Sequence, residues 1–148
     1  MQLPPTTKNS HKKTVFAWGA FDLLHAGHIE YLKKARALGD SLVVAVYSDT
    51  IVSRLYDKTR PFVPHKERME VLTSFEMVDR VILIRNISPI NKIKQVAPHI
   101  IASCDIEKDS NLENAVSDMN LEFVRIKLRA RKSTTGIIQK IKKSFSNK

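Results

Sequence analysis

The sequence predicts an α/β domain built on a doubly wound, five-stranded parallel sheet. Three observations carry that reading. Five short apolar runs alternate with segments whose apolar residues recur at helical spacing, the pattern of strand–helix–strand units. The run Leu42-Val43-Val44-Ala45-Val46-Tyr47 is nearly continuous in its apolarity, as in a strand buried on both faces of a parallel sheet. The stretch Gly19-Ala20-Phe21-Asp22-Leu23-Leu24-His25-Ala26-Gly27-His28 lies between an apolar strand and a helix, where such sheets keep their anion sites.

The elements follow in order. Residues 1–13 are polar, carry Pro4-Pro5 and Thr6-Thr7, and read as a loose arm ahead of one domain over 14–148. Strand one covers about 14–18. A helix over about 27–38 sets Ile29, Leu32 and Ala35 on one face and stops at Gly39, a favoured C-terminal cap residue. Strand two covers 42–47 and is ended by Ser48-Asp49, ahead of a short segment over 50–55. A loop over 56–64 contains Lys58, Arg60, Pro61 and Pro64. The next helix, about 65–75, spaces Met69 and Leu72 by three, and Val71 and Phe75 by four. Strand three covers 80–84. Ser88 as cap, with Pro89 at the first helical position, opens another helix. Pro98 precedes strand four at 100–103. A polar loop over 105–110, a helix over 111–119 and strand five over 122–128 complete the sheet. Ser133 caps a final helix to about 145. Its stripe Ile137, Ile138 and Ile141 is expected to pack on the sheet, leaving Lys140 and Lys143 in solvent.

Composition narrows the functional classes. A chain of 148 residues is one domain's worth, and a hydrophobic fraction of 43% is ordinary for a globular domain. No apolar run has membrane-spanning length, and residues 1–13 lack the apolar core of a secretory signal. The one cysteine, Cys104, excludes an internal disulfide and fits a reducing compartment, so a cytoplasmic location is expected. The net charge is +10, and residues 123–148 hold nine Lys or Arg with no Asp or Glu. Such an end suits nucleic acid, a membrane surface or a solvated helix. Aromatic residues are 7% of the chain and are not interleaved with the basic ones as a base-stacking platform requires.

Two segments carry chemistry by their residue types. In the 19–28 stretch, Gly19 and Gly27 allow unusual backbone shapes and close approach of a ligand. His25 and His28, three apart, share one side of a helical turn. Two imidazoles beside free helix amides suit a phosphate whose charge grows during reaction. A zinc pair needs further ligands, and a chain with one cysteine and no second histidine pair does not supply the usual set. The second segment is Ser133-Thr134-Thr135, three hydroxyls at a helix start. These fit either an N-cap or a phosphate site.

The 19–28 string resembles the signature of the HxGH nucleotidyltransferases, in their cytidylyltransferase-like branch. That branch includes glycerol-3-phosphate, choline-phosphate and ethanolamine-phosphate cytidylyltransferases, heptose-phosphate adenylyltransferases and archaeal FMN adenylyltransferases. The resemblance runs from about Val15 to Ile141. The segment Arg60-Pro61-Phe62-Val63-Pro64-His65-Lys66-Glu67-Arg68-Met69 resembles the branch's Arg-Pro loop and following helix. Val78-Asp79-Arg80-Val81 fits it as well. The Pro-x-x-x-Arg-Met spacing is most similar to heptose-phosphate adenylyltransferases. Ser133-Thr134-Thr135-Gly136 resembles the closing motif, whose helix start holds the β- and γ-phosphates. Two places depart from the pattern. Members often carry Lys-Gly-Gly-Asp-Tyr after strand four, whereas this chain reads Ala102-Ser103-Cys104-Asp105-Ile106, in which only Asp105 corresponds. The glycine usual before the closing serine is replaced by Arg131-Lys132.

The resemblance implies a Rossmann-like fold and a nucleotidyltransferase activity. A phosphate oxygen of a small sugar or polyol phosphate would attack the α-phosphorus of ATP or CTP, and pyrophosphate would leave. His25 and His28 would hold the α-phosphate, with charge added by Lys58, Arg68 and Arg131. Arg68 would bind phosphate or pair with Glu67 or Glu70. Ala20, Phe21, Asp22 and Gly27 would line the nucleotide site, and Ser133, Thr134 and Thr135 would hold the departing pyrophosphate. Asp49 and Asp105 would face the acceptor. Mg²⁺ would bridge the phosphates, and the protein would form a homodimer without entering a membrane. The base is not identified by any residue pattern, and ATP is favoured only through the middle segment. The rival reading is a non-catalytic nucleotide-fold module that binds nucleic acid through its basic C-terminal face.

Overall fold

The computed structural model describes residues 12–104, 110–129 and 133–147. The expected arm over 1–13 falls almost wholly outside them, as do Asp105 and Arg131. The elements run β1 (Thr14–Gly19), α1 (Ala26–Arg36), β2 (Ser41–Tyr47), α2 (Asp49–Leu55), α3 (His65–Thr73), β3 (Arg80–Ile84), α4 (Ile90–Val96), β4 (Ile100–Cys104), α5 (Ser110–Ser117), β5 (Glu122–Ile126) and α6 (Thr134–Ser146). The five strands form one sheet in the order β3-β2-β1-β4-β5, and every pair is parallel.

Alternation along the strands splits the core into two layers. Val15 and Ala17 of β1 face one side with Leu42, Val44 and Val46 of β2. There they pack against Tyr31, Leu32 and Ala35 of α1 and Leu72 of α3. Phe16 and Trp18 face the other side with Val43, Ala45 and Tyr47, against Ile51 and Val52 of α2, Ile93 of α4, and Leu112 and Val116 of α5. Both faces are covered, which explains the unbroken apolar run of β2.

The sheet order reverses direction between β1 and β4, and this places the site. β1 stays paired with β2 as far as Gly19↔Val46, but its pairing with β4 ends at Ala17↔Ala102. Beyond that point the two strands part. The Tyr31 hydroxyl closes the split, donating to the Ala102 carbonyl at 2.6 Å and accepting from the Trp18 amide at 3.3 Å. A crevice outside the carboxyl ends of diverging central strands is where open α/β sheets bind ligands.

Three local expectations are corrected. α1 ends at Arg36 with Ala37 as its C-cap, so Gly39 is not the cap. Gly39 is glycine for a steric reason. A Cβ there would lie 2.6 Å from the Lys13 carbonyl oxygen, which accepts from the Asp40 and Ser41 amides as the chain enters β2. α4 is capped at Pro89, one residue later than expected, and the Ser88 hydroxyl makes only a long contact of 3.4 Å with the Ile90 amide. In α6, Ile137 and Ile138 are half-buried, but Ile141 is 49% and Phe145 72% exposed. The stripe therefore reaches the body only at its start. Among the described residues, no helix is long and apolar enough to cross a membrane.

Candidate active site

The site grows from the end of β1. Gly19 was expected to supply an unusual backbone shape, yet no described glycine has a positive φ. The turn is made instead by Phe21 and Leu23, both at φ 52°, in the left-handed region that side chains resist. A Cβ on Gly19 would approach the Phe21 ring at 3.3 Å, so Gly19 gives that ring its room. The ring then lies between His28 and Tyr31, with centroid distances of 5.5 and 6.3 Å.

This turn delivers His25 to the N-cap of α1, where the two histidines cap the helix together. His25 Nδ1 accepts from the Gly27 amide at 3.0 Å, and His28 Nδ1 accepts from the His25 amide at 3.2 Å. The arrangement is a capping box with imidazoles in place of the usual hydroxyl and carboxylate. It fixes both tautomers. A neutral ring whose Nδ1 accepts carries its proton on Nε2, so each ring keeps an Nε2–H donor that the helix does not use. The rings lie 4.0 Å apart, centroid to centroid. Burial lowers the pKa of both. For His28 the positive fields of His25 and Arg60 add to burial and outweigh Asp22, which pulls the other way, and the pKa falls to about 4. At neutral pH the pair is two neutral donors.

Asp22, expected on the nucleotide, is turned inward. Its carboxylate accepts from Arg60 Nε at 3.2 Å, from the Phe62 amide at 3.0 Å and from the Val63 amide at 3.0 Å. Its carbonyl accepts from the Thr134 hydroxyl at 3.0 Å. A buried anion would repel phosphate, and here it is matched by a guanidinium and amides instead. Arg60 also lies under the Tyr56 ring, 4.3 Å from its centroid.

Arg68 is likewise corrected. It is 1% exposed and does not pair with Glu67 or Glu70. Its guanidinium donates to the carbonyls of Val63, Ala20 and Tyr47 and to Asp49, joining the ends of β1 and β2 to α3. Asp49, expected at the acceptor, has its carboxylate occupied by Arg68 at 2.7 Å, by the His65 amide at 2.8 Å and by His65 Nδ1 at 3.0 Å. Burial raises its pKa, but the hydrogen bonds from Arg68 and His65 outweigh that and hold it below the ordinary carboxylate value.

At the start of α6, Ser133 is the N-cap and its hydroxyl accepts from the Gly136 amide at 3.1 Å. Thr134 is buried on Asp22, and Thr135 is exposed. The bond from Thr134 to Asp22 brings this helix start to the histidine turn. Ala20 and Phe21 are buried and Gly27 lies inside the cap, so they form the wall of the turn. Lys58 is exposed on the loop between α2 and α3. A cavity of about 430 Å³ lies elsewhere, beside the edge strand β3, lined by Arg85, Asn86, Ser88, Asn91, Lys92 and Gln95 among others, and no residue of the histidine turn lines it.

The sequence reading missed Arg60, Tyr31 and His65. Arg60 was visible as part of an Arg-Pro loop, but nothing in the sequence pairs it with Asp22. Tyr31 reads simply as an apolar position of α1. The described residues contain no group of three His, Cys, Asp or Glu able to hold a metal ion, and the carboxylates of Asp22 and Asp49 are already held by cations and amides.

Comparisons with known proteins give the family and the fold. A family model described as cytidylyltransferase-like matches residues 16–145. The bifunctional protein HldE of Pelobacter propionicus is 38% identical over 140 residues, 91% of this chain and 28% of its own length. HldE of Helicobacter pylori strain J99 is 37% identical over 147 residues, 99% of this chain and 31% of its own. The chain thus spans less than a third of the curated relatives it matches. Among solved structures, a lipopolysaccharide core biosynthesis protein from Thermoplasma volcanium GSS1 superposes with TM-score 0.68 and 28% identity, over 82% of this chain and 99% of that one. A pantoate-beta-alanine ligase from Francisella tularensis shares the fold, with TM-score 0.62 and 16% identity over 86% of this chain and 62% of its own.

Proposed function

The chain belongs to the cytidylyltransferase-like family, and from that premise we propose that it joins the α-phosphate of ATP to a small sugar phosphate and releases pyrophosphate. The observation that carries this is the reciprocal histidine cap, which leaves two neutral Nε2–H donors side by side at the topological switch point.

In the proposed step an anionic oxygen of the acceptor phosphate forms a bond to the α-phosphorus. The bond from that phosphorus to the β-bridging oxygen breaks, and pyrophosphate leaves with the electron pair. The acceptor oxygen is already deprotonated near neutral pH, so no proton moves and no general base is needed. The task of the protein is positioning and charge stabilisation. His25 and His28 donate to the α-phosphate oxygens as negative charge builds. A donor that is neutral beforehand needs no counter-ion in the resting site. The first turn of α6 presents its amides, with Ser133 and Thr135, to the β- and γ-phosphates. Lys58 adds positive charge from its exposed loop, and Arg131 is assigned the same task by its place in the sequence, outside the described residues. Mg²⁺ enters as part of the substrate, on the triphosphate, which is how this ion is usually carried.

The favoured acceptor is a heptose phosphate, on the Pro64-to-Arg68-Met69 spacing. The lipopolysaccharide-core name of the Thermoplasma protein agrees with a sugar acceptor. Glycerol-3-phosphate with CTP is next. The test is pyrophosphate release with ATP and CTP, each offered heptose, glycerol, choline and ethanolamine phosphates. Release with ATP that requires heptose phosphate supports the proposal. No release with any pair defeats it.

A further inference from the structure

We propose that Asp22 and Arg60 form a positioning pair, which locks the 60–63 loop and the first turn of α6 onto the histidine turn so that three distant segments meet the nucleotide as one unit. This deepens the nucleotidyltransferase reading and rests on it.

The geometry is that of a node. The two side chains are 0% and 5% exposed, with Arg60 Nε and Asp22 Oδ2 3.2 Å apart. Both carboxylate oxygens are used, since Oδ1 also accepts from the Phe62 and Val63 amides at 3.1 and 3.0 Å. The loop is therefore held at three points, the Arg60 side chain and the Phe62 and Val63 amides. The carbonyl of the same residue holds Thr134, the first residue of α6, at 3.0 Å. One amino acid thus fixes the spacing between the histidine donors, the loop and the helix start expected on the departing pyrophosphate. A displacement of about an ångström at such a node is expected to cost roughly 10²-fold in rate. Buried ion pairs are also poor stabilisers compared with apolar packing, so stability alone gives little reason for one here.

The pair has a second consequence, because both charges act on His28. The groups facing that ring are His25, Arg60 and Asp22. Arg60 lowers its pKa and Asp22 raises it. Removing Arg60 alone takes away one of the two positive fields that oppose Asp22 and moves the midpoint of His28 upward from about 4. Removing Asp22 alone moves it the other way. Opposite shifts report that both charges are seated against His28, and kcat reports whether that seating serves the reaction.

The experiment uses the full chain in four forms: parent, Asp22→Asn, Arg60→Gln and the double variant. His28 is titrated by NMR of its ring, and kcat and KM for ATP are measured with the acceptor found above. The His28 midpoint is expected to rise in Arg60→Gln, not to rise in Asp22→Asn, and to return toward the parent in the double variant. Turnover should fall roughly 10²-fold in each single variant, with a smaller change in KM. Thr134→Val, which removes only the bond to the Asp22 carbonyl, should lower kcat while leaving the His28 midpoint where it was. If the single variants do not fold, the double variant and Thr134→Val carry the test. One His28 midpoint in all folded forms, or parental kcat in both Arg60→Gln and Thr134→Val, overturns the proposal. The titration needs no turnover, so it stands even if the acceptor screen is negative.

Discussion

His28 has two nitrogens with separate tasks. Nδ1 accepts from the backbone and closes the cap, while Nε2–H is left for a ligand. The tasks separate by substitution. His28→Asn can set Oδ1 where Nδ1 accepts, yet it has no donor where Nε2–H stood. Its turnover should fall roughly 10²–10³-fold, as for other lost oxyanion donors. Thermal unfolding should show a stability loss of no more than about 1 kcal/mol, the scale of a cap. Turnover near that of the parent would remove His28 from the chemistry. The same residue makes stability depend on pH. Its folded pKa of about 4 lies below the ordinary histidine value of 6.5, so between those values the unfolded chain binds a proton that the native chain does not. His25 shifts in the same direction. Stability should be level above about pH 6.5 and fall as pH drops through that window toward 4. Melting temperatures across the window should decline less steeply in His28→Asn than in the parent, and equal slopes would place the titrating group elsewhere.

Among the elements, α6 shows where sequence reading succeeds and where it stops. Ser133 was legible as a cap because a hydroxyl ahead of a helical stripe has a local meaning. The stripe itself showed that an apolar face exists but not what lies opposite it, and Ile141 and Phe145 meet no core. The central strands were found to within a few residues because both of their faces are buried and their apolar runs are unbroken. The left-handed turn was misplaced, since local preference puts it on Gly19 while the chain makes it at Phe21 and Leu23. Asp22, Arg68 and Asp49 were all assigned to ligands because a charged side chain in a motif looks available. Their side-chain partners lie at least 16 residues away in sequence, beyond any local rule. The exposed distal lysines of α6 separate the enzyme from a nucleic-acid module. Lys142→Gln with Lys143→Gln should leave pyrophosphate release almost unchanged. If those changes abolish function, the nucleic-acid reading gains the helix.

For the whole molecule, the order β3-β2-β1-β4-β5 matters more than any single strand. It opens the sheet between β1 and β4 and brings the turn after β1 and the start of α6 to the same edge. The proposed homodimer follows the preference of soluble proteins for twofold assemblies. Light scattering at micromolar concentration should give about twice 16.9 kDa, and an active species at the monomer mass would contradict it. The central claim concerns which oxygen attacks which phosphorus, and oxygen labelling tests it most directly. The acceptor is supplied with ¹⁸O in its phosphate group, and the products formed with ATP are read by mass spectrometry and ³¹P NMR. The account predicts ¹⁸O in the new phosphate–phosphate bridge and none in the released pyrophosphate. Label in the pyrophosphate, or release of AMP in its place, would contradict it.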